Sequence, residues 1–367
     1  MKICFLAGAS SIHTVRWVNA MADIGHEVSL LTIHHSEMDE VDERVAVYKL
    51  KVKNKFGYYL NFLEAKCIIK KIKPDIVNVH YASGYGTLGR LLNFKPTLLS
   101  VWGSDVYLYP YQSKLNERTL KKNLHSADQI ASTSRAMKVQ TELFITPRIP
   151  IAVTPFGIDL NCFKPDRNIQ SNEIVIGTVK RLENIYGIDI LIRAVSKLKK
   201  RLHNEGKLEL GEKVRLKIVG EGSELQSLMQ LAKDEKINEI TKFVGAVANI
   251  EVPNYLNQFD VYCAFSRSES FGVAVLEASA CEVPVVVSGV GGLPEVVKDG
   301  ETGFIVNHEN LTEIVEKLYL LVTDKEKRIE MGRRALDFVS EHYDWDKNVT
   351  HMERVYDKLI KRQNKEK

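Results

Sequence analysis

Glu269 and Glu277 stand eight positions apart around a glycine, in the stretch Glu269-Ser270-Phe271-Gly272-Val273-Ala274-Val275-Leu276-Glu277. Turn formers surround the first carboxylate, Gly272 opens a run of good helix formers, and the second carboxylate falls just over a turn into that run. A helix N-terminus carries unpaired backbone N–H groups and partial positive charge, so a diphosphate at Gly272 and Val273 would be bound by geometry alone. Carboxylates flanking the phosphates would accept hydrogen bonds from hydroxyls. That combination suits a nucleotide sugar, with Glu269 toward the sugar, Glu277 toward the ribose, and Ser270 and Phe271 in the connecting loop.

Cations for such a diphosphate stand in Gly177-Thr178-Val179-Lys180-Arg181-Leu182, at the end of a β-branched run. The Arg181 fork can bind phosphate oxygens in bidentate fashion, and Lys180 adds a point charge beside it. Gly220-Glu221-Gly222-Ser223 follows another such run and opens a helix, so its backbone can approach a ligand closely. In the first half, Gly8-Ala9-Ser10-Ser11-Ile12-His13 joins the first strand to the first helix, and His13 either contacts a ligand or caps the helix. Trp102, in Val101-Trp102-Gly103-Ser104-Asp105, has no acid or base function, but its ring can stack on a sugar face and its N–H can donate. His80 and Asp105 either bind an acceptor or are structural caps. Asp344-Trp345-Asp346 matches the Asp-x-Asp pattern of metal-dependent transferases, yet it opens a helix, where acidic residues complement the dipole. It is read as structural, no metal site and no cofactor are expected, and activity should survive EDTA.

Positioning these residues requires alternating β-branched runs and amphipathic helices, the pattern of a parallel sheet covered on both faces. Strands are predicted at Lys2–Leu6, Val28–Thr32, Val45–Leu50, Ile76–Val79, Thr97–Val101, Gln129–Ser132 and Ile151–Val153, with helices between them, among them Tyr58–Ile72 and Ser113–His125. A polar stretch without periodicity, 163–172, reads as a linker. A second series follows, with strands Ile174–Thr178, Arg215–Val219, Ile240–Val244, Val261–Ala264, Val283–Val287 and Phe304–Val306, and a final helix Asp344–Arg362.

The 367 residues allow two domains, and 44% hydrophobic with 27% charged residues is ordinary for globular protein. No window approaches the roughly 18 apolar residues of a membrane span, and the start turns polar too soon for a signal peptide. Five scattered cysteines suggest neither a disulfide framework nor a zinc site, and a reducing cytoplasm fits. Residues 1–165 hold 21 Lys and Arg against 14 Asp and Glu, while the remainder holds 30 against 33. Lys66, Lys70, Lys71 and Lys73, with Lys49, Lys51, Lys53 and Lys55, are either solvated faces or a patch for anionic lipid. No nucleic-acid partner is indicated.

Phe259 to Val306 resembles the core of the family 4 retaining glycosyltransferases. The likeness runs through Asp260-Val261-Tyr262-Cys263-Ala264, Ser266 to Glu277, Val283 to Ser288, Gly291-Gly292-Leu293-Pro294-Glu295 and Asp299-Gly300-Glu301-Thr302-Gly303-Phe304. The resemblance implies an α/β GT-B fold, two facing Rossmann-like doubly wound domains with an interdomain cleft. On that basis 1–165 is the acceptor-binding domain, 166–343 the nucleotide-sugar domain, and 344–367 a helix crossing back. It implies catalytic roles for Glu269 and Arg181, helped by Lys180; places Gly220, Gly222 and Val244 near the base; brings Gly8 and Ser11 to the donor; and leaves His13, His80, Trp102 and Asp105 for the acceptor. The chain departs from the family pattern in three places. Tyr186 stands before Gly187 where a Lys is usual, Trp102 stands where many relatives carry His, and Ser10 and Ser11 replace a second glycine. The implied reaction moves a hexose or N-acetylhexosamine from a UDP- or GDP-sugar, with retention, to a hydroxyl of a growing glycan. In it the departing phosphate oxygen takes the acceptor's proton. The basic first half favours a lipid-linked acceptor at the cytoplasmic face of a membrane, as in lipopolysaccharide or capsule assembly. An epimerase or phosphorylase of the same architecture, or a nucleotide-sugar-binding protein without turnover, are the alternatives.

Overall fold

The computed structural model describes residues 1–34, 40–166 and 172–365. The chain divides into two compact units, Met1–Pro155 with Lys347–Lys367, and Phe156–Asp346. The first cut falls before the polar stretch that composition marks as a linker, part of which (167–171) lies outside the described residues. Residues 156–165 therefore belong with the second unit and not the first. The reason is local pairing: Ile158 N–H donates to the Tyr343 carbonyl at 2.7 Å, Trp345 N–H donates to the Ile158 carbonyl at 3.1 Å, and Phe156 meets Phe271 edge-on at 6.1 Å. The second cut, at Asp346/Lys347, likewise falls three residues later than the 343/344 boundary read from sequence.

The first unit is built on strands β1 (Lys2–Leu6), β2 (Glu27–Thr32), β3 (Ala46–Lys49), β4 (Ile76–His80), β5 (Thr97–Val101), β6 (Gln129–Ser132) and β7 (Ala152–Val153). They form one sheet in the order β3-β2-β1-β4-β5-β6-β7, and every pairing is parallel. Strands β4 and β5 are buried at every position, as continuous apolar runs with helices on both faces must be. The final helix, Trp345–Lys365, lies in this unit from Lys347 onward. Its buried Tyr356 hydroxyl accepts from the Asn78 side-chain amide at 2.6 Å, and His351 meets the Val153 carbonyl at 3.1 Å.

The second unit carries β8 (Ile174–Val179), β9 (Val214–Val219), β10 (Thr241–Gly245), β11 (Val261–Ala264), β12 (Val285–Ser288) and β13 (Gly303–Val306). Their order is β10-β9-β8-β11-β12-β13, again all parallel. The predicted strands recur with ends shifted by a residue or two, as strand ends read from pattern do. The one long helix predicted at Tyr58–Ile72 is instead two, Gly57–Leu60 and Phe62–Ile72. Between them the buried Asn61 side chain pairs with both backbone groups of Val52, at 3.0 and 2.9 Å, and a helical ladder cannot offer that exchange.

In both units the order of connection reverses beside the strand that begins it, between β1 and β4 and between β8 and β11. The loops leaving the carboxyl ends of those strands diverge there and leave room for a ligand.

Candidate functional site

In the second unit the loops after β8 and β11 bring Lys180 and Glu269 together. The Lys180 ammonium lies 2.5 Å from a Glu269 carboxylate oxygen, and the two side chains are only 12% and 13% exposed. Burial alone would lower the pKa of this ammonium, but the charge of Glu269, with smaller contributions from Tyr262, the hydrogen bond to Glu269 and Tyr186, outweighs it and raises it. Below the pair sits Tyr262, fully buried, its hydroxyl donating to the Val179 carbonyl at 3.3 Å. Burial pushes that phenol up to about 12, and it feels the charges of Lys180, Glu277 and Glu269 together. Both glutamates of the opening motif thus act on one buried hydroxyl.

The Glu269 loop is held from beneath by Gly291 and Gly292. Gly292 N–H donates to the Glu269 carbonyl at 3.0 Å. Gly291 takes φ +51°, and a side-chain carbon there would collide with the same carbonyl. Gly272 caps the helix Val273–Ala280 at φ +109°, and no side chain caps that helix start. Glu277 lies in this helix, half-buried. Ser270 and Val273 are half-buried at the loop and the first helical position. Phe271 is different. Its ring is 2% exposed and packs against Phe156 and Tyr343, so Phe271 faces a ligand through its backbone and not its ring.

A cavity of about 740 Å³ adjoins the pair, lined by Lys180, Arg181, Gly220 and Gly222 among others. Gly220 lets the chain pass against the Lys180 carbonyl, where a side chain would clash, and its N–H donates to the Gly245 carbonyl at 2.8 Å. Val244 is not part of the lining. The register shifts between Phe243 and Gly245, and the wall is made further on by Ala246, Val247 and Asn249, which sequence reading missed. Arg181 lines the cavity but leans outward: its side chain is 76% exposed and lies 3.6 Å from Glu183. The structure therefore brings Lys180, and not Arg181, to Glu269.

In the first unit, Gly8 and Ser11 form the tight turn after β1, with Ser11 N–H donating to the Gly8 carbonyl at 3.1 Å. Ser11 is the N-cap of the helix Ile12–Asp23, though its side chain makes no capping bond. His13, in the first turn, meets Trp102 edge-on at 6.1 Å. His80 ends β4 and lies 4.0 Å from the Trp102 ring, with Thr14 Oγ1 3.3 Å from its Nδ1. Burial, reinforced by Arg16, lowers the His13 imidazole to about 4. Burial and the neighbouring His13 take His80 down to about 3. Trp102 is thus set among aromatic and uncharged imidazole rings, Tyr81 included at 5.3 Å.

Asp105 does not belong among ligand-binding residues. It is 1% exposed, and its carboxylate accepts from the backbone N–H groups of Ala82 at 2.8 Å, Gly103 at 2.9 Å and Trp102 at 3.2 Å. It braces the loops after β4 and β5, the structural alternative left open by the sequence. His80 is likewise 1% exposed, packed beneath the Trp102 ring, which is itself 8% exposed.

Residues 162–338 match the family described as glycosyl transferases group 1, and residues 2–134 match glycosyl transferase 4-like. The chain belongs to the family 4 glycosyltransferases. Among curated relatives, N-acetyl-alpha-D-glucosaminyl L-malate synthase of Bacillus anthracis is 24% identical over 95% of this chain and 93% of its own. A GDP-mannose-dependent alpha-(1-6)-phosphatidylinositol monomannoside mannosyltransferase of Mycolicibacterium smegmatis is 28% identical over 62% of this chain and 61% of its own. The structure of HepE from Anabaena, solved with UDP and glucose, superimposes with a TM-score of 0.81 at 18% identity, covering 98% of this chain and 100% of that one. The glycosyltransferase has the α/β GT-B fold.

Tyr186 is the residue of this glycosyltransferase that sequence reading most undervalued. It entered only as a missing Lys, yet its ring lies 4.9 Å from the Lys180 ammonium. Asp344 and Asp346 stand at the start of the final helix, Asp344 bridging to Ile158. Among the described residues no group of three His, Cys, Asp or Glu side chains is arranged to hold a metal.

Proposed function

We propose that this glycosyltransferase moves a hexose or N-acetylhexosamine from a UDP- or GDP-sugar to a hydroxyl of a lipid-linked glycan, with retention and without a metal. The observation that carries the reading is the half-buried Lys180–Glu269 pair, adjoining both the helix start at Gly272, which no side chain caps, and the cavity at Gly220. As the bond from the anomeric carbon to the phosphate oxygen breaks, negative charge grows on the diphosphate. Lys180 and the helix N–H groups meet that charge as fixed partners. Glu269 accepts from a hydroxyl of the sugar and Glu277 from the ribose. The acceptor oxygen bonds to the anomeric carbon on the face the phosphate leaves, and its proton passes to the departing phosphate oxygen. No side-chain base is required, in keeping with two imidazoles in the first unit that burial disfavours as charged groups. HepE, solved with UDP and glucose, supports a uridine nucleotide, and the relative named for GDP-mannose supports guanosine.

A lipid-linked acceptor is supported by the surface of the first unit. Phe56, which precedes the helix Gly57–Leu60, and Tyr59, Leu60 and Leu63 on that helix and the next are 52–69% exposed. Exposed Lys53, Lys55, Lys66 and Lys70 flank them, a pattern suited to anionic lipid at the cytoplasmic face of a membrane. Among the described residues no helix is long and apolar enough to cross a membrane.

The test is a thermal-shift panel of UDP, GDP, ADP and CMP, then donor turnover with and without EDTA. A nucleotide at 100 times its Kd should stabilise the protein by about 2.7 kcal/mol. Absence of any shift, or epimer interconversion or phosphate-dependent glycan cleavage in place of transfer, would overturn the proposal. Co-sedimentation with anionic vesicles at low salt tests the membrane contact, and its absence there removes that part.

A further inference from the structure

We infer that Tyr186 is a positioning residue, holding the Lys180 ammonium at the place where it meets the donor's diphosphate. The inference rests on the proposed reading of the site and adds how its buried cation is kept in place. Lys180 has two neighbours of different kinds: the Glu269 carboxylate at 2.5 Å and the Tyr186 ring, whose centroid is 4.9 Å from the ammonium.

Glu269 can serve only while the site is empty. Once a donor arrives, its phosphates take the ammonium, and the carboxylate turns to a sugar hydroxyl. A ring face asks for no proton and no counter-charge, so it stays in place through that exchange. It also keeps a buried ammonium charged when the carboxylate is engaged elsewhere, which burial alone opposes. Arg181, 76% exposed, is not held in this way.

The position of Tyr186 is itself over-determined. It ends a single turn, Asn184–Tyr186, closed by Gly187 at φ +64°, and Tyr186 N–H donates to the Glu183 carbonyl at 2.9 Å. Arg267 fixes the turn from the other side: it donates to the Asn184 carbonyl at 2.5 Å and grips Asp189 with two bonds of 2.8 and 3.0 Å. Arg267 N–H also donates to the Ile185 carbonyl at 2.8 Å. Arg267 belongs to the segment after β11 that leads to Glu269. The ring and the carboxylate that both meet Lys180 are therefore tied to one another through Arg267.

The experiment compares Tyr186→Leu and Tyr186→Phe in the full chain, by UDP and GDP calorimetry and by nucleotide release from UDP-glucose and GDP-mannose across pH. Tyr186→Leu should lower donor kcat by about tenfold, raise the nucleotide Kd by about fivefold, and move the alkaline limb of turnover to lower pH. Tyr186→Phe should stay within about twofold of the parent, since the ring face and not the hydroxyl is used. In a Lys180→Met background, Tyr186→Leu should change nucleotide Kd by no more than about twofold. If nucleotide binds and Tyr186→Leu matches the parent in Kd, kcat and pH profile, or acts equally without Lys180, this inference fails alone. If the unaltered protein binds neither UDP nor GDP, the proposed function fails with it.

Discussion

The two units share one strand order over their first six strands, and the same pair of loops at its reversal, yet they fill that place with opposite chemistry. In the second unit it holds a half-buried ion pair, Lys180–Glu269, over a phenol raised by burial. In the first it holds Trp102 among His13, His80 and Tyr81, with both imidazoles pushed toward the neutral form. A charged group with a fixed shape, such as a diphosphate, needs a cation and N–H donors at set positions. A neutral polyol needs ring faces and a dry wall. The topology supplies the location in both units, and the side chains determine which kind of ligand it suits.

The sharpest way to break this comparison is to remove the carboxylate. Glu269→Ala should lower sugar transfer by about 100-fold or more while UDP or GDP Kd changes by less than about threefold, because the lost hydroxyl contact matters in the transition state. Near-normal transfer would sink the assignment of Glu269. The matching change in the first unit is Trp102→Ala. It should cost about 1–2 kcal/mol of acceptor binding, read as a rise in acceptor KM of about tenfold, with donor hydrolysis by water unchanged. If hydrolysis falls equally, the aromatic cluster serves the donor and the division of labour is wrong.

How much of this could be read from the sequence follows the same division. Glu269, Gly272 and Glu277 lie in one segment, so their spacing is visible in the chain, and the alternation of strands and helices gave both sheets. Lys180 and Tyr186 could be listed as a cation and an anomaly, but their contact depends on a single turn set by Gly187 and Arg267, 80 residues apart in sequence. The resemblance puts Val244 near the base, but the register is irregular between Phe243 and Gly245 and the cavity wall is made by Ala246 and Val247. For Asp105 the sequence leaves acceptor binding and a structural cap equally open, because its three backbone donors come together only in the fold. The 156–165 segment was assigned by composition, which does not reveal that Ile158 pairs with Tyr343 and Trp345.

The two cations of the second unit offer a smaller, finer test. From sequence, Arg181 is the first choice for the phosphates, and its loss should cost about tenfold or more. With its side chain 76% exposed and beside Glu183, an exposed pair worth little, Arg181→Ala should instead lower donor turnover only about threefold. Lys180→Ala should cost at least about tenfold, since it removes the half-buried partner of Glu269 and leaves that carboxylate unpaired. Equal effects in the two variants would mean that Arg181 swings inward when donor binds.

The smallest effect belongs to the first unit and is read as stability. A His whose folded pKa lies below its unfolded value of about 6.5 binds its proton more readily in the unfolded chain, so stability is full above that pH and is lost as pH falls toward the folded pKa. With His13 near about 4 and His80 near about 3, the loss begins below about 6.5 and continues through the range of both. At pH 5 it should amount to about 2 kcal/mol per imidazole. Asp105, its carboxyl raised by burial against three backbone hydrogen bonds, offsets part of this, because it takes up a proton earlier in the folded protein. The diagnostic is therefore a difference: between pH 7 and pH 5 the melting temperature of His80→Gln should fall less than that of the parent. Parallel profiles would show that His80 binds its proton as readily in the folded chain as in the unfolded one, and the contrast between a charged site in one unit and a neutral aromatic one in the other would no longer hold.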